Sequence, residues 1–172
     1  MPPPGIWSWK PSYSEETKPS NPDFKDLFKI FNDAGVEYLV AGAHAVMVFT
    51  EPRYTKDLDV LVRATPENAA RVFRALQRFG APLRDITERD FTETDLVYQI
   101  GVAPNRIDIL MGVAGVAFEE AWDHRLRSTY DGMPIAIMGK TQLLKAKKAA
   151  GRPADLLDIA RLEAQDSDRP DR

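Results

Sequence analysis

The sequence predicts a mixed α/β fold, in which a small mixed sheet carries flanking helices and ends in a C-terminal helical pair. Three observations support this prediction. Short apolar runs typical of strands recur along the chain, segments with apolar residues at helical spacing separate them, and two helical segments close the sequence. Strands that alternate with helices indicate a sheet with helices packed on it.

The first half of this pattern starts with a helix. Asn21 is a plausible N-cap, Pro22 suits the first turn, and Gly35 ends the helix. Apolar residues at helical spacing lie between them, at Phe24, Leu27, Phe28 and Phe31. The next elements are a strand over 36–41, a short helix over 42–49, a loop over 51–55 and a strand over 56–63.

The second half repeats the alternation. A helix begins at Thr65-Pro66-Glu67 and ends at Gly80. Asp131-Gly132 is typical of the turn of a hairpin. The remaining elements are strands over 95–101 and 106–111 joined by a turn at 103–105, a helix over 116–126, a hairpin over 128–138, and helices over 141–150 and 153–164.

The domain organisation follows from the ends of the chain. Residues 1–20 hold five of the 13 prolines, so we expect a flexible arm without regular structure. Residues 21–164 form one domain, and 165–172 a charged, frayed tail. The aromatic residues of the arm are expected to dock on the domain or on a second subunit, which would make a homo-oligomer. They are Trp7, Trp9 and Tyr13.

Composition excludes several classes of function. The net charge of −3 gives no overall basic field for nucleic acid, and the absence of cysteine excludes thiolate metal sites. No apolar run is long enough to span a bilayer, and the N-terminus lacks the pattern of a signal peptide. We therefore expect a cytoplasmic protein without a membrane partner.

The most informative motif is Asp57-Leu58-Asp59, at the start of a predicted strand. Side chains alternate along a strand, so both carboxylates point to one face while Leu58 points to the other. Two neighbouring carboxylates repel, and such a pair either takes up a proton or holds a cation. Oxygen ligands favour Mg²⁺ or Mn²⁺.

A third acid, Asp108, lies between Ile107 and Ile109 in a later strand. If that strand neighbours the first, three carboxylates converge and can hold two divalent ions, as in phosphoryl transfer. The alternative is that Asp108 pairs with Arg106 or caps a turn.

A glycine followed by a small residue, Gly42-Ala43, separates the first strand from the short helix. This arrangement lets backbone N–H groups approach a phosphate at the helix N-terminus. Thirteen residues, 44–56, separate the pair from Asp57.

The ordered set of a strand, this glycine pair, Asp-x-Asp and a later Asp resembles the polymerase-beta-type nucleotidyltransferase superfamily. Residues 38–46 and 52–59 resemble the small bacterial nucleotidyltransferase-like proteins related to the abortive-infection toxins of type IV toxin–antitoxin systems. The resemblance runs from about Phe24 to Glu163 and implies the sheet of the nucleotidyltransferase type.

The resemblance implies transfer of a nucleoside monophosphate from a nucleoside triphosphate to an acceptor, which is a tRNA end, a protein hydroxyl or a small molecule. Asp57 and Asp59 would ligate Mg²⁺ or Mn²⁺, Asp108 would hold a second ion, and Gly42-Ala43 would bind phosphate. A role in a toxin–antitoxin pair, with an antitoxin partner, is also implied. Ala43 departs from the family because it lacks the usual hydroxyl. The alternative is therefore a catalytically weak or inactive nucleotide- or partner-binding module on the same fold.

The resemblance extends to charged residues on either side of the acids. Arg53 and Thr55 would approach the phosphates or the acids, although Arg53 is equally well explained as a surface arginine. Late in the chain, Lys147 would be a catalytic, phosphate-binding lysine, and Arg152 would also bind phosphate.

Two further acids follow at i and i+3 on the last helix. Asp155 and Asp158 would orient Lys147 or Arg152, or act as a base. The alternative is a structural set of salt bridges that joins the last two helices.

Overall fold

A computed structural model describes residues 6–8 (backbone only), 21–55, 57–102 and 105–167. Its strands are β1 Ile6–Ser8, β2 Tyr38–Ala41, β3 Asp57–Val62, β4 Val97–Ile100, β5 Arg106–Leu110, β6 Leu126–Tyr130 and β7 Met133–Ile137. Its helices are α1 Pro22–Asp33, α2 Gly42–Phe49, α3 Pro66–Phe79, α4 Phe118–Asp123, α5 Lys140–Ala150 and α6 Pro153–Ser167.

These strands form one mixed sheet in the order β1-β6-β7-β2-β3-β5-β4. The neighbours β3 and β5 are parallel, whereas β2 runs antiparallel to β3 and parallel to β7. The mixed sheet with flanking helices confirms the predicted fold class. The direct pairing of β3 with β5 also confirms that the strand carrying Asp108 neighbours the strand carrying Asp57 and Asp59.

The helix boundaries follow from the predicted caps. The Asn21 side chain accepts a hydrogen bond from the backbone N–H of Asp23, and the Thr65 hydroxyl accepts one from Asn68. Gly80 ends α3 in the left-handed conformation. These contacts satisfy backbone groups at the helix ends that have no partner within the helix.

The core lies between the sheet and helices that pack on it. In α1 the side chains of Leu27, Phe28 and Phe31 are essentially fully buried, which explains their helical spacing. α2 packs against β3, α5 and α6, so this short helix connects the C-terminal helical pair to the strand that carries the Asp-x-Asp motif.

Three elements differ from the sequence-based expectations. Ile6–Ser8 forms an edge strand parallel to β6, within the arm that was expected to lack regular structure. A 3₁₀ turn over Glu88–Thr92 was not predicted; it buries Phe91 completely. The predicted helix over 116–126 is shorter than expected: Val116 forms an isolated bridge with Val113, α4 covers only Phe118–Asp123, and Leu126 already belongs to β6.

Some expectations lie partly or wholly outside the described residues. These include the docking of Trp9 and Tyr13, the side chain of Trp7, the turn at 103–104 and the end of the charged tail at 168–172. The start of that tail belongs to α6, which continues to Ser167. Within the ranges that the structure describes, no helix has the length and apolar character needed to cross a membrane.

Candidate active site

The acidic residues come together because β3 and β5 run parallel and in register. Asp59 lies directly opposite Asp108, and Asp57 directly opposite Arg106. Residues opposite one another on neighbouring strands share a face of the sheet, as do residues two apart on one strand. Three acids and one arginine therefore project from the same patch of the sheet.

The intervening residues anchor this patch from behind. Leu58 and Val60 on β3 and Ile107 and Ile109 on β5 are almost completely buried. A shift of one residue in register would expose these apolar side chains and bury the acids. The apolar residues thus fix which way the carboxylates face.

Arg106 joins two of the acids. Its Nη2 atom lies 3.1 Å from Oδ2 of Asp57 and 3.2 Å from Oδ2 of Asp108. Asp57 is about one-third exposed, whereas the Asp108 side chain is 10% exposed. The pairing of Asp108 with Arg106, considered above as the alternative interpretation, therefore occurs, in a patch of the sheet where the three acids share one face.

Asp59 lies in an environment that disfavours its charge. Burial, together with the negative charges of Asp108 and Asp57, raises the pKa of Asp59 to about 6, although Lys147 and Arg106 partly offset this effect. At neutral pH the site therefore holds an ionised carboxylate that lacks full compensation within the protein.

Gly42 is required by its contact with Asp59. Gly42 has φ +60°, and a Cβ atom at this position would lie 1.9 Å from Oδ2 of Asp59. Only glycine satisfies both constraints. The first turn of α2, with Gly42 and Ala43, thus lies directly against the acid cluster, and its N-terminal N–H groups are suited to binding an anion.

His44, in the same turn, is mainly structural. Its ring makes an edge contact with Phe24 at a centroid distance of 5.6 Å. Burial is the main cause that lowers the pKa of His44 to about 4, with the charge of Arg53 adding to the effect. His44 is therefore neutral at physiological pH.

The loop before β3 contacts the last helix. Nη2 of Arg53 lies 3.0 Å from Oδ2 of the buried Asp158, so this arginine is not simply a surface residue. The Thr55 hydroxyl donates a weak hydrogen bond of 3.4 Å to the backbone oxygen of Asp57 rather than to a carboxylate. Thr55 thus contacts the backbone of the Asp-x-Asp motif.

Lys147 is held by both acids of α6. Its Nζ atom lies 3.0 Å from Oδ2 of Asp158 and 3.4 Å from Oδ1 of Asp155. The charge of Lys147 also acts on Asp59. The expected orienting contacts and the alternative, a salt-bridge set joining the last two helices, are thus present in the same network.

Arg152 completes this network. Its Nε atom donates to Oδ2 of Asp155 at 2.8 Å, and its backbone N–H donates to the same oxygen at 3.1 Å. Burial raises the pKa of Asp155, but the hydrogen bonds from Arg152 and the charge of Lys147 outweigh it and leave that pKa below its usual value. The Arg152 side chain is largely exposed, so it remains open to an anion.

The donor set suits a hard divalent cation. Oδ1 of Asp108 is buried and has no hydrogen-bond partner among the described residues, which is the state of an oxygen available to a metal ion. As positioned, the described residues hold no cluster of three or more Asp, Glu, His or Cys side chains arranged to ligate a metal. The chemistry of Asp57, Asp59 and Asp108 fits Mg²⁺ or Mn²⁺, although Arg106 engages Oδ2 of Asp57 and Oδ2 of Asp108 in this structure.

Solved structures share this fold. The chain superposes on the lincosamide antibiotic adenylyltransferase LnuA, with lincomycin bound, with a TM-score of 0.55 and 14% identity, over 85% of this chain and 98% of that one. It superposes on ANT(2″)-Ia in complex with adenylyl-2″-tobramycin with a TM-score of 0.57 and 12% identity, over 84% of this chain and 87% of that one. The fold is that of nucleotidyltransferases. No protein-family model and no curated protein sequence matches the chain.

In this nucleotidyltransferase fold, sequence reasoning assigned no role in the site to Arg106. A signal for it was present, since Arg106 lies two residues before Asp108 and therefore on the same face of β5. The ion pair between Arg53 and Asp158 gave no such signal, because it joins residues 105 positions apart.

Proposed function

We propose that the protein is a nucleotidyltransferase that depends on a divalent metal ion and moves a nucleoside monophosphate from a nucleoside triphosphate to an acceptor hydroxyl. The observation that carries this proposal is the register of β3 and β5. It places Asp57, Asp59 and Asp108 on one face, and Gly42 brings the α2 N-terminus against Asp59.

Each part of the site has a chemical task in this proposal. Asp57, Asp59 and Asp108 would hold Mg²⁺ or Mn²⁺, which would neutralise triphosphate charge and polarise the phosphorus under attack. The N–H groups of Gly42 and Ala43 at the start of α2 would donate to phosphate oxygens.

The cationic side of the site would bind the triphosphate. Lys147 supplies a point charge, and Arg152 and Arg53 supply planar donor groups that suit phosphate oxygens. Asp155 and Asp158 position Lys147, because both carboxylates contact its Nζ atom.

The acceptor is proposed to be a small hydroxylated molecule rather than a tRNA end or a protein hydroxyl. Two similar structures contain such molecules, lincomycin in LnuA and adenylyl-2″-tobramycin in ANT(2″)-Ia. The net charge of −3 also gives little support to a long nucleic-acid contact. A toxin–antitoxin role and an antitoxin partner stay predictions from the sequence resemblance.

The second candidate is a weakly active or inactive nucleotide-binding module on the same fold. Two observations favour it. Ala43 offers no hydroxyl to a phosphate, and Arg106 already holds two of the acids. This candidate predicts that nucleotide binds but no transfer follows.

The test is a transfer assay with α-labelled nucleoside triphosphates, Mg²⁺ or Mn²⁺, and separate acceptor panels of aminoglycosides and lincosamides, total tRNA, and protein. We expect label on a small molecule, and loss of that label in Asp59→Asn. The matched control is Asp85→Asn, an exposed aspartate in a turn after α3, which should keep activity. Binding without transfer in every panel would favour the module, and the absence of binding would refute both candidates.

A further inference from the structure

Arg106 is the cation that contacts two of the three acids on the sheet, Asp57 and Asp108. It precedes Asp108 by two residues on β5 and lies opposite Asp57 on β3, so strand pairing itself places it between the two carboxylates. Its contacts are to Oδ2 of each acid, at 3.1 Å and 3.2 Å. Arg106 therefore supplies a positive charge that the carboxylates of Asp57 and Asp108 share.

The guanidinium is bound there incompletely. A single nitrogen, Nη2, serves both carboxylates, whereas a strong arginine–carboxylate pair uses two parallel hydrogen bonds. The Nε donor is buried without a hydrogen-bond partner among the residues that the structure describes, and so is Oδ1 of Asp108. Buried polar groups without partners cost free energy, so this arrangement can be replaced by a better-satisfied one.

The contacts of Arg106 are incompatible with metal ligation by the same oxygens. A divalent ion bound to Oδ2 of Asp57 and Asp108 would lie beside the guanidinium, and like charges repel. Removal of Arg106 alone would leave three carboxylates facing one another, including Asp59, on which the charge of Arg106 also acts. If the guanidinium of Arg106 leaves these carboxylates, another cation, such as a divalent metal ion, must take its place.

We propose that Arg106 is a displaceable counter-cation, which keeps the acids from binding a divalent ion until a nucleoside triphosphate offers the guanidinium other anionic oxygens. The proposal rests on the proposed function. It makes metal binding dependent on nucleotide binding and gives Arg106 a second position, on phosphate, in the loaded site. Arginine suits both positions because its planar donor group binds carboxylate and phosphate alike.

The experiment measures Mn²⁺ binding by electron paramagnetic resonance, with Mn²⁺ alone and with a non-hydrolysable triphosphate analogue. We compare the wild type with Arg106→Gln, which removes the charge, and with Arg106→Lys, which keeps it. The control is Arg127→Gln, an exposed arginine on β6. Thermal unfolding in EDTA and in Mn²⁺ provides a second measurement for each protein.

Without nucleotide, Arg106→Gln is expected to bind Mn²⁺ about tenfold or more tightly than the wild type, because it no longer competes for the acids. Arg106→Lys should lie between them, and Arg127→Gln should match the wild type. The analogue should strengthen Mn²⁺ binding strongly in the wild type and little in Arg106→Gln. In EDTA Arg106→Gln should melt below the wild type, and Mn²⁺ should reverse this difference.

Equal or weaker Mn²⁺ binding by Arg106→Gln, in a protein that still binds the analogue, would overturn this inference and leave the proposed function intact. If no protein binds Mn²⁺ or the analogue, both fail. If Arg106→Gln does not fold, the wild type decides, because the proposal then fails if the analogue binds without strengthening Mn²⁺ binding.

Discussion

The substitution Asp59→Asn should stabilise the metal-free protein at neutral pH, although it removes a residue proposed to be essential. The pKa of Asp59 is about 6 in the folded protein, against an ordinary value of 3.8. Above pH 6 the folded protein must hold this carboxylate ionised against burial and the charges of Asp108 and Asp57. Asparagine has nearly the same shape and no charge, so it fits the same contact with Gly42.

The magnitude follows from linkage. A pKa raised on folding means that the folded state binds the proton more tightly, so its stability rises as pH falls from about 6 toward 3.8. One pKa unit corresponds to about 1.4 kcal/mol, so Asp59 lowers the free energy of unfolding by about 3 kcal/mol at pH 8, where it is ionised in both states. At pH 4.5 the folded protein holds it protonated, and its ionisation in the unfolded state lowers the free energy of unfolding by about 1 kcal/mol. Asp59→Asn should therefore be about 3 kcal/mol more stable than the wild type at pH 8, and the gain should shrink to about 1 kcal/mol at pH 4.5.

Urea unfolding in EDTA at the two pH values measures this difference. Asp85→Asn, the exposed control, should change stability by less than about 0.5 kcal/mol at either pH. A less stable Asp59→Asn at pH 8, or a gain that does not depend on pH, would refute the reasoning. Addition of Mg²⁺ or Mn²⁺ should reduce the gain at pH 8, because a metal ion that binds the wild type stabilises it by mass action.

Three further predictions concern other parts of the site. Gly42→Ala should lower the free energy of unfolding by well over the roughly 1–2 kcal/mol cost of the left-handed conformation, because its Cβ would overlap the Asp59 carboxylate. The control is Gly132→Ala, at φ +80° with open space around it, which carries the conformational cost alone. Equal melting temperatures for the two variants would contradict this prediction. His44 has a pKa of about 4 in the folded protein against 6.5 ordinarily, so the free energy of unfolding of the wild type falls as pH falls below 6.5. Between pH 8 and pH 5 this loss is about 2 kcal/mol, and it should be absent in His44→Phe. Urea unfolding at several pH values measures the difference, and parallel pH profiles of the two proteins would rule it out. Asp158→Asn leaves two cations without their shared buried carboxylate and should cost about 3 kcal/mol in urea unfolding, whereas a cost below about 1 kcal/mol would show that the network contributes little.

Sequence periodicity was sufficient to predict most of the fold, because the signals for helices, caps and strands come from residues that are close together in the chain. The cap at Asn21, the end of α3 at Gly80 and the alternation around Asp57 each depend on residues within a few positions, and the structure contains all three. The edge strand at Ile6–Ser8 was missed because its formation depends on the free edge of β6, which lies more than 100 residues away.

The same distinction applies to the candidate site. The shared face of Asp57 and Asp59 follows from strand geometry alone, and the structure places Asp108 opposite Asp59. The partners of the cationic side chains could not be predicted from strand geometry. Arg53 pairs with Asp158 across 105 positions, and Arg106 has two carboxylates within reach where the sequence suggested a single pair with Asp108.

The position of α6 in the chain sets an order of assembly during protein synthesis. The strands of the described sheet all precede α6 in the chain and leave the ribosome before it, so the sheet with its carboxylates can form first. The ion pairs of Lys147 and Arg53 with Asp158 can form only after α6 has docked on the rest of the domain. In a nascent chain, the acids on β3 and β5 can therefore take up their positions before Lys147 and Arg53 have their partner. The site is complete only after α6 has packed.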